Sequence, residues 1–289
     1  MHLNIFLSQS CFVYCKGCYS YSRTEKIGTF LDSKKIIHFL KFAYTQGINK
    51  VTFCGWDPLT RKDILKVLKD TKKIGFNITI DTVGTSLLRD IKCNNKTIVK
   101  KVNAKRLVKY CDIIGIPIDG SSSNIIKTFR PCTYDILQDQ IIVCELINYY
   151  KGNLCINTVV HNKNLEDVNN LVELMNKLKF GKKWQLFQYA PLGKYGMLYK
   201  NEFEISKDEF DNFKKIVLKK YNGLAQMEFK DNEYRNKKYM LIDNSGNAWI
   251  QHYDINQNNE RVLIGNIQSK KDWHIICDKL KKENLKWNT

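Results

Sequence analysis

A chain of 289 residues, 43% hydrophobic and 26% charged, suits one large domain or one domain with a modest extension, and its ordinary globular balance with few Gly and Pro excludes long disordered stretches. Lys and Arg number 47 against 29 Asp and Glu, a net charge of +18. The lysines are spread along the chain with no aromatic-interleaved basic stripe, so charge alone does not establish a nucleic-acid or acidic-peptide partner. No apolar run approaches the ~18 residues that span a bilayer, and the start MHLNIFLSQSCF lacks the basic and long apolar regions of a secretory signal; a cytoplasmic protein with no membrane partner is expected.

Short apolar strands alternate with amphipathic helices. The pattern predicts strands over 2–7, 51–54, 77–82, 112–118, 154–160 and 184–189. Between them helices are expected at 33–47, through Ile64, Leu65 and Leu68, near 103–110, over 134–150, and from Leu165 to Leu178. Six βα-like units imply a parallel sheet, because each helix is the crossover between neighbouring strands. The expected fold is therefore α/β, a partial (β/α)6 TIM-type barrel over residues 1–200. The rhythm then changes. A helix near 206–221, strands at 239–242 and 248–251 joined by Asn244-Ser245-Gly246, and a helix near 270–282 predict a small α+β extension over 201–289, placed as a cap over the barrel.

Ten cysteines in a reducing compartment do not suggest a disulfide framework. Cys11, Cys15 and Cys18 form a Cys-x3-Cys-x2-Cys cluster directly after the first strand; the other seven are scattered. Three thiolates on one short loop can wrap three corners of a cubane [4Fe–4S] cluster, which normally takes four cysteines, so one iron stays open. Structural zinc usually takes four ligands in paired knuckles, and no second pair exists here.

This spacing in this place resembles the radical S-adenosylmethionine (SAM) superfamily, and the resemblance runs from residue 1 to about 200. It implies that Cys11, Cys15 and Cys18 hold the cluster and that the open iron binds the amino and carboxylate groups of SAM. An electron then cleaves SAM to methionine and a 5′-deoxyadenosyl radical, which abstracts a hydrogen from substrate. Gly55-Trp56-Asp57-Pro58 is similar to the Gly-Gly-Glu-Pro segment that holds the SAM amino group, with Trp56 for the second Gly and Asp57 for Glu. Asp81-Thr82-Val83-Gly84-Thr85 resembles a Thr-Asn-Gly-Thr segment, and Ile116-Pro117-Ile118-Asp119-Gly120 followed by Arg130 resembles an Ile-Ser-Ile-Asp-Gly segment with a later Arg. On that resemblance Thr82, Gly84, Asp119 and Arg130 contact SAM, and Arg130 pairs with its carboxylate through a planar fork. Gly17 stands where the family has an adenine-contacting aromatic; Tyr14 or Tyr19 can substitute. Cys54, one residue before the SAM turn, is a candidate hydrogen-atom donor to a substrate radical.

The segment Trp184 to Gly193 resembles both peptide-modifying members and viperin-like nucleotide enzymes, and makes Gln185, Gln188 and Tyr189 candidate substrate contacts. The stretch from Met240 to Ile250 and Ile264-Gly265-Asn266-Ile267 resemble the SPASM extension of peptide maturases. Cys277 is the single cysteine there, so one iron–sulfur cluster is expected in all. The leading expectation is an enzyme that epimerises or crosslinks a small ribosomal peptide, with an external one-electron reductant of flavodoxin or ferredoxin type. The alternatives are a viperin-like nucleoside triphosphate dehydratase, with Lys182, Lys183 and Lys194 at a basic mouth, and a non-catalytic nucleic-acid-binding iron–sulfur or zinc protein. Fold alone does not select among these.

Overall fold

The first strand, β1 (His2–Phe6), sends Leu3 and Ile5 to one face and Asn4 to the other, and that alternation recurs along the chain. It is repeated in β2 (Lys50–Cys54), β3 (Asn77–Asp81), β6 (Ile113–Pro117), β7 (Leu154–Val160) and β8 (Lys183–Gln188), which pair in parallel in the order β1-β2-β3-β6-β7-β8. Between β3 and β6 lies a separate antiparallel hairpin, β4 (Ile91–Cys93) and β5 (Lys96–Val99). The computed structural model describes residues 1–8, 10–20, 31–178, 181–235, 239–253 and 259–285.

Helices cover one face of the sheet. Those joining the strands are α1 (Ser33–Thr45), α2 (Ile64–Ile74), α3 (Ala104–Tyr110), α4 (Ser123–Phe129), α5 (Ile136–Tyr149) and α6 (Val168–Lys177). Each starts where a short polar side chain satisfies an orphan N–H or a turn precedes it: Asp32 accepts from Lys34 N, Asn103 from Arg106 N and Asp135 from Gln138 N. Ile36, Phe39 and Leu40 of α1, Val67 and Leu68 of α2, and Leu171 and Met175 of α6 bury against Leu3, Ile5, Val51, Phe53, Ile78, Ile80, Ile114 and Ile156. Each such side chain contributes about 1.5–3 kcal/mol on leaving water. Trp184 is fully buried on this side, its indole N–H donating to Thr158 Oγ1 (2.9 Å), whose hydroxyl donates to Ile118 O (2.6 Å).

Parallel strands covered on both faces read as continuous apolar runs. Here the opposite face carries Asn4, Thr52, Asp81, Gly115, Asn157, Gln185 and their neighbours, which marks the inner wall of a partial barrel. The expected α/β partial-barrel fold is what forms.

After β8 come α7 (Gly193–Leu198), α8 (Lys200–Phe203) and α9 (Lys207–Lys220), the last started by a capping box between Ser206 and Glu209. Then β9 (Gln226–Lys230) adds a parallel strand beside β8, followed by α10 (Asn232–Arg235). The chain crosses to the other edge, where β10 (Met240–Ile242) pairs in parallel with β1 and leads to β11 (Asn247–Tyr253) and β12 (Asn259–Asn266), both antiparallel. Helix α11 (Trp273–Leu285) lays Trp273 against Phe39 and Phe42 of α1. Residues after 200 thus extend both edges of one ten-stranded sheet. The turn expected at Asn244-Ser245-Gly246 forms, with Gly246 at φ +87° and Asp243 accepting from Ser245 N and Asn247 N.

Candidate active site

The segments that resemble the cluster and SAM loops lie at the C-terminal ends of the parallel strands, the end at which open α/β sheets and barrels collect their chemistry. The Cys11–Cys18 loop follows β1, Gly55–Pro58 follows β2, Thr82–Thr85 follows β3, and Asp119 follows β6.

A hydrogen-bonded chain ties these loops together. The Asp57 carboxylate is fully buried and accepts from Leu59 N (2.9 Å), Thr82 Oγ1 (2.8 Å) and Val83 N (3.1 Å), so it joins the loop after β2 to the loop after β3. Asp57 N donates to Ser10 O (3.3 Å), which brings in the cysteine loop. On the far side Asp119, also fully buried, accepts from Val159 N (2.8 Å) and from Arg130 Nε, and Arg130 Nη1 donates to Cys15 Sγ (3.4 Å). Lys16 N donates to Phe129 O (2.9 Å). Asp57 and Arg130 are therefore braces as well as neighbours of the site, and Arg130 already spends donors on Asp119 and Cys15.

The backbone of the Gly55–Pro58 turn answers the question posed by Trp56. Gly55 and Trp56 both sit in the left-handed region, at φ +75° and +57°. A Cβ on Gly55 would collide with the Phe6 ring. Trp56 thus keeps the conformation a glycine would adopt, at a cost of about 1–2 kcal/mol for an L-residue. Accordingly Trp56→Gly is expected to be more stable than Trp56→Ala by about 1 kcal/mol, because the Ala variant loses the ring but keeps the strain. Chemical denaturation of the two variants checks this ordering.

The residues present fit an iron–sulfur cluster. Three soft sulfur donors lie on one loop. Cys15 is buried and Cys11 and Cys18 partly so, and all three pack on an apolar cluster of Val13, Ile126, Phe129, Tyr189 and Phe203. The loop approaches that cluster closely at Gly17, where a Cβ would stand 2.5 Å from Phe129 Cε2 and 2.6 Å from Tyr189 Cε2. An aromatic is thus sterically barred at position 17 of this backbone. Burial pushes the Cys15 thiol up to about 12, against the pull of the Arg130 charge; loading with metal would release its proton. Among the described residues no three of His, Cys, Asp and Glu converge on a single-ion site; a cubane spreads its thiolates over separate irons.

Cys54 ends β2 within a small apolar group with Phe6, Trp249 and Leu241. Its thiol is hydrogen-bonded to the Tyr19 hydroxyl, and burial, with the Asp81 charge, pushes its pKa well up, so the S–H proton is retained. The Tyr19 ring lies edge-on to Phe6 at 5.8 Å.

Of the candidate substrate contacts, Gln185 faces the inner wall, where Nε2 donates to Glu228 Oε2 (2.8 Å). Gln188 is buried on the helix side, with Nε2 donating to Ile205 O (3.0 Å) and Oε1 accepting from Asn232 N (3.0 Å). Tyr189 is buried beneath the cysteine loop and donates to Gly196 O (2.7 Å). Among the three lysines proposed for a basic mouth, Lys183 forms an ion pair with Glu228 on the inner wall.

Sequence reasoning missed the charged inner wall. Asp81 Oδ1 accepts from Asn157 Nδ2 (3.1 Å), and Lys230 of β9 pairs with Glu228 (3.3 Å) and lies 5.1 Å over the Phe187 ring. Period-two alternation in β3 and β9 was the available signal. Desolvation raises Asp81 to about 6, moderated by Asn157 and by the charge of Lys230; desolvation likewise raises Asp57 to about 6. A carboxyl whose native pKa lies above its unfolded value holds more protons when folded, so it stabilises at low pH and that contribution is lost as pH rises from about 4 through 6. The stability of Asp81→Asn relative to the parent is therefore expected to rise across that window, measured by urea unfolding at a series of pH values.

The family model of the radical SAM superfamily matches residues 5–175. The S-adenosylmethionine-dependent nucleotide dehydratase of Lacinutrix mariniflava is 25% identical over 313 residues, covering 99% of this chain and 59% of that protein. The enzyme of the same name from Flammeovirga pacifica is 25% identical over 252 residues, covering 84% and 80%. In fold, Streptococcus suis SuiB bound to precursor peptide SuiA superposes with a TM-score of 0.70 at 17% identity, over 97% of this chain and 65% of that one. Native anSMEcpe with bound AdoMet gives 0.66 at 17% identity, over 97% and 82%. The chain thus spans about three fifths of the Lacinutrix relative and two thirds of SuiB. With a family match over more than half its length and the matching loops gathered at one end of the sheet, this chain belongs to the radical SAM superfamily, and is an enzyme whose family implies SAM and an iron–sulfur cluster.

Proposed function

We propose that this enzyme carries a single [4Fe–4S] cluster on Cys11, Cys15 and Cys18, binds SAM across the loops after β1, β2, β3 and β6, and abstracts a hydrogen atom from a small peptide held over the inner wall. The cluster would supply the electron that splits SAM into methionine and a 5′-deoxyadenosyl radical, taken in turn from a flavodoxin- or ferredoxin-type reductant. The observation that carries the reading is the Asp57–Thr82–Val83 and Asp119–Arg130–Cys15 bracing, which fixes four strand-end loops around the three thiols.

In this reading residues 1–200 bring the chemistry and residues 201–289 complete the walls. Gly55 and Trp56, turned left-handed, present backbone carbonyls to the SAM amino group, while Asp57 and Pro58 hold that turn and Thr82 and Gly84 back it. Arg130 sets a positive charge beside Cys15 and the SAM carboxylate. Tyr19, next to Cys18, offers the aromatic surface for adenine that Gly17 cannot. Cys54, protonated and beside Tyr19, would return a hydrogen atom to a substrate radical, as epimerisation requires. A peptide substrate is supported by the likeness of fold over nearly the whole chain to SuiB, which is bound to a precursor peptide.

A nucleotide substrate is the second reading, supported by the sequence relatives and by Lys183 and Lys230 on the inner wall; Glu228 pairs with both and lowers their attraction for phosphate. Anaerobic reconstitution followed by SAM and dithionite is expected to yield 5′-deoxyadenosine. Its absence from iron-loaded protein sinks the proposal, and stimulation by nucleoside triphosphates but not by peptides transfers it to the second reading.

A further inference from the structure

The insertion between β3 and α3, together with α3, carries a dense run of positive charge. From Arg89 to Lys109 there are eight basic side chains and one acid, Asp90. The β4–β5 hairpin stands out from the sheet as its own two-stranded ribbon: Lys92, Cys93, Asn94, Asn95, Lys96, Thr97 and Ile98 are all exposed. Its tip uses left-handed Asn94 and Asn95, at φ 47° and 61°, as a tight turn. An isolated hairpin is marginally stable in water, and this one is clamped at its base. Arg89 forms a two-pronged pair with Asp139 of α5 (2.8 and 2.6 Å), Asp90 accepts from Lys101 N (2.7 Å), and Val99 is buried.

Arg89 aside, the basic side chains of the insertion, Lys92, Lys96, Lys100 and Lys101, and those of α3, Lys105, Arg106 and Lys109, make no ion pair among the described residues. Elsewhere some lysines pair with acids, as at Lys66–Asp70, Lys72–Asp112, Lys177–Glu173 and Lys207–Glu233. Ile98 is 54% exposed and is the extra residue where Ile91 faces Val99 but Lys92 faces Thr97. A bulge and lysines are the devices that keep an open strand edge from self-association. The same edge remains available to a strand of opposite charge. The hairpin follows β3 at the end of the sheet that holds the cysteine loop.

We infer that the β4–β5 hairpin, with the first turn of α3, is a docking edge for an extended acidic segment of the peptide substrate, separate from the residue that is modified. The inference rests on the peptide reading of the active site and adds to it where the substrate is gripped. The register pairs Lys92 with Thr97 and Cys93 with Lys96, so Lys92 and Lys96 lie on opposite faces of the ribbon. Acidic side chains on both faces of the docked segment would meet them and, beyond Val99, Lys100, while its backbone pairs with the exposed ribbon edge.

The test is fluorescence anisotropy on the reconstituted enzyme with a fluorescein-labelled peptide of consecutive Glu residues, which carries acids on both faces when extended. The triple variant Lys92→Glu, Lys96→Glu, Lys100→Glu should weaken binding about tenfold or more. A control with the same change of charge on the exposed faces of α1 and α2 (Lys41→Glu, Lys69→Glu, Lys73→Glu) should leave it within about twofold, since charges beyond a Debye length are screened. Equal loss in both triples means non-specific attraction to a basic protein and overturns the inference. So does tighter binding of a single-stranded oligonucleotide that displaces the peptide and shows the same hairpin dependence. Formation of 5′-deoxyadenosine by each variant, without peptide, should match the parent. Loss of that product in the parent condemns the catalytic reading, whereas unchanged peptide binding by the hairpin triple condemns the docking edge.

Discussion

Replacing Cys15 with Ala is expected to abolish iron loading and with it 5′-deoxyadenosine formation, a loss greater than the 10–100-fold typical of residues that merely support a metal ligand. Three thiolates are the minimum that leaves a cubane one open corner; with two, the cluster loses a second corner to water and is not retained. Cys11→Ala and Cys18→Ala should behave alike. The informative contrast is with Cys111→Ala and Cys144→Ala, which remove equally buried thiols from the helix-side core. Those variants should lose a little stability and keep their iron. Measuring iron and acid-labile sulfide per chain after anaerobic reconstitution separates the two groups. Full iron in Cys15→Ala would falsify the assignment of the loop.

The second large effect concerns Arg130. Its guanidinium is nearly buried and its partner Asp119 has no exposed surface at all. Burial works against the charge of Arg130, but Asp119 and the thiols of Cys15 and Cys18 more than compensate, and its pKa goes up. Removing one member of such a pair leaves the other charged and unsolvated, which costs about 3–5 kcal/mol. Arg130→Met should therefore lower the melting temperature by roughly 10 °C. The double variant Arg130→Met, Asp119→Leu should recover part of that loss, since no orphaned carboxylate remains, although Val159 N then loses its acceptor. Thermal unfolding of the single and double variants decides the matter. A single variant as stable as the parent would show the pair to be solvated.

The barrel was legible because its helix-side residues follow simple periods. Leu3 and Ile5, Val51 and Phe53, and Ile78 and Ile80 alternate as strands do, and Leu171, Val172 and Met175 recur as a helix does. The cysteine loop stood out by its spacing after the first strand, and the loops after β2, β3 and β6 by their resemblance, in order, to radical SAM segments. What stayed hidden was polar or short. Strand β9 carries Glu228 and Lys230 on its inner side and only Met227 and Phe229 outward, a pattern too brief and too charged to stand out. The β4–β5 hairpin is almost wholly exposed, so no burial pattern marks it. The buried roles of Gln188 and Tyr189 depend on Ile205, Asn232 and Gly196, partners that no local pattern announces. Trp56 illustrates a different limit: its letter departs from the Gly-Gly-Glu-Pro segment while its backbone takes the left-handed turn.

The pairing of polar groups along the barrel's inside has a consequence for selectivity. Asp81 is already matched to Asn157, and Glu228 to Lys183, Gln185 and Lys230. A guest that displaced these partners would owe each group a replacement. A purely hydrocarbon guest offers none, and every donor or acceptor it strands costs about 1–3 kcal/mol. Discrimination would then come less from shape than from whether the visitor brings a complementary set of amides, hydroxyls or charges, and small aliphatic impostors would be turned away before any radical is made.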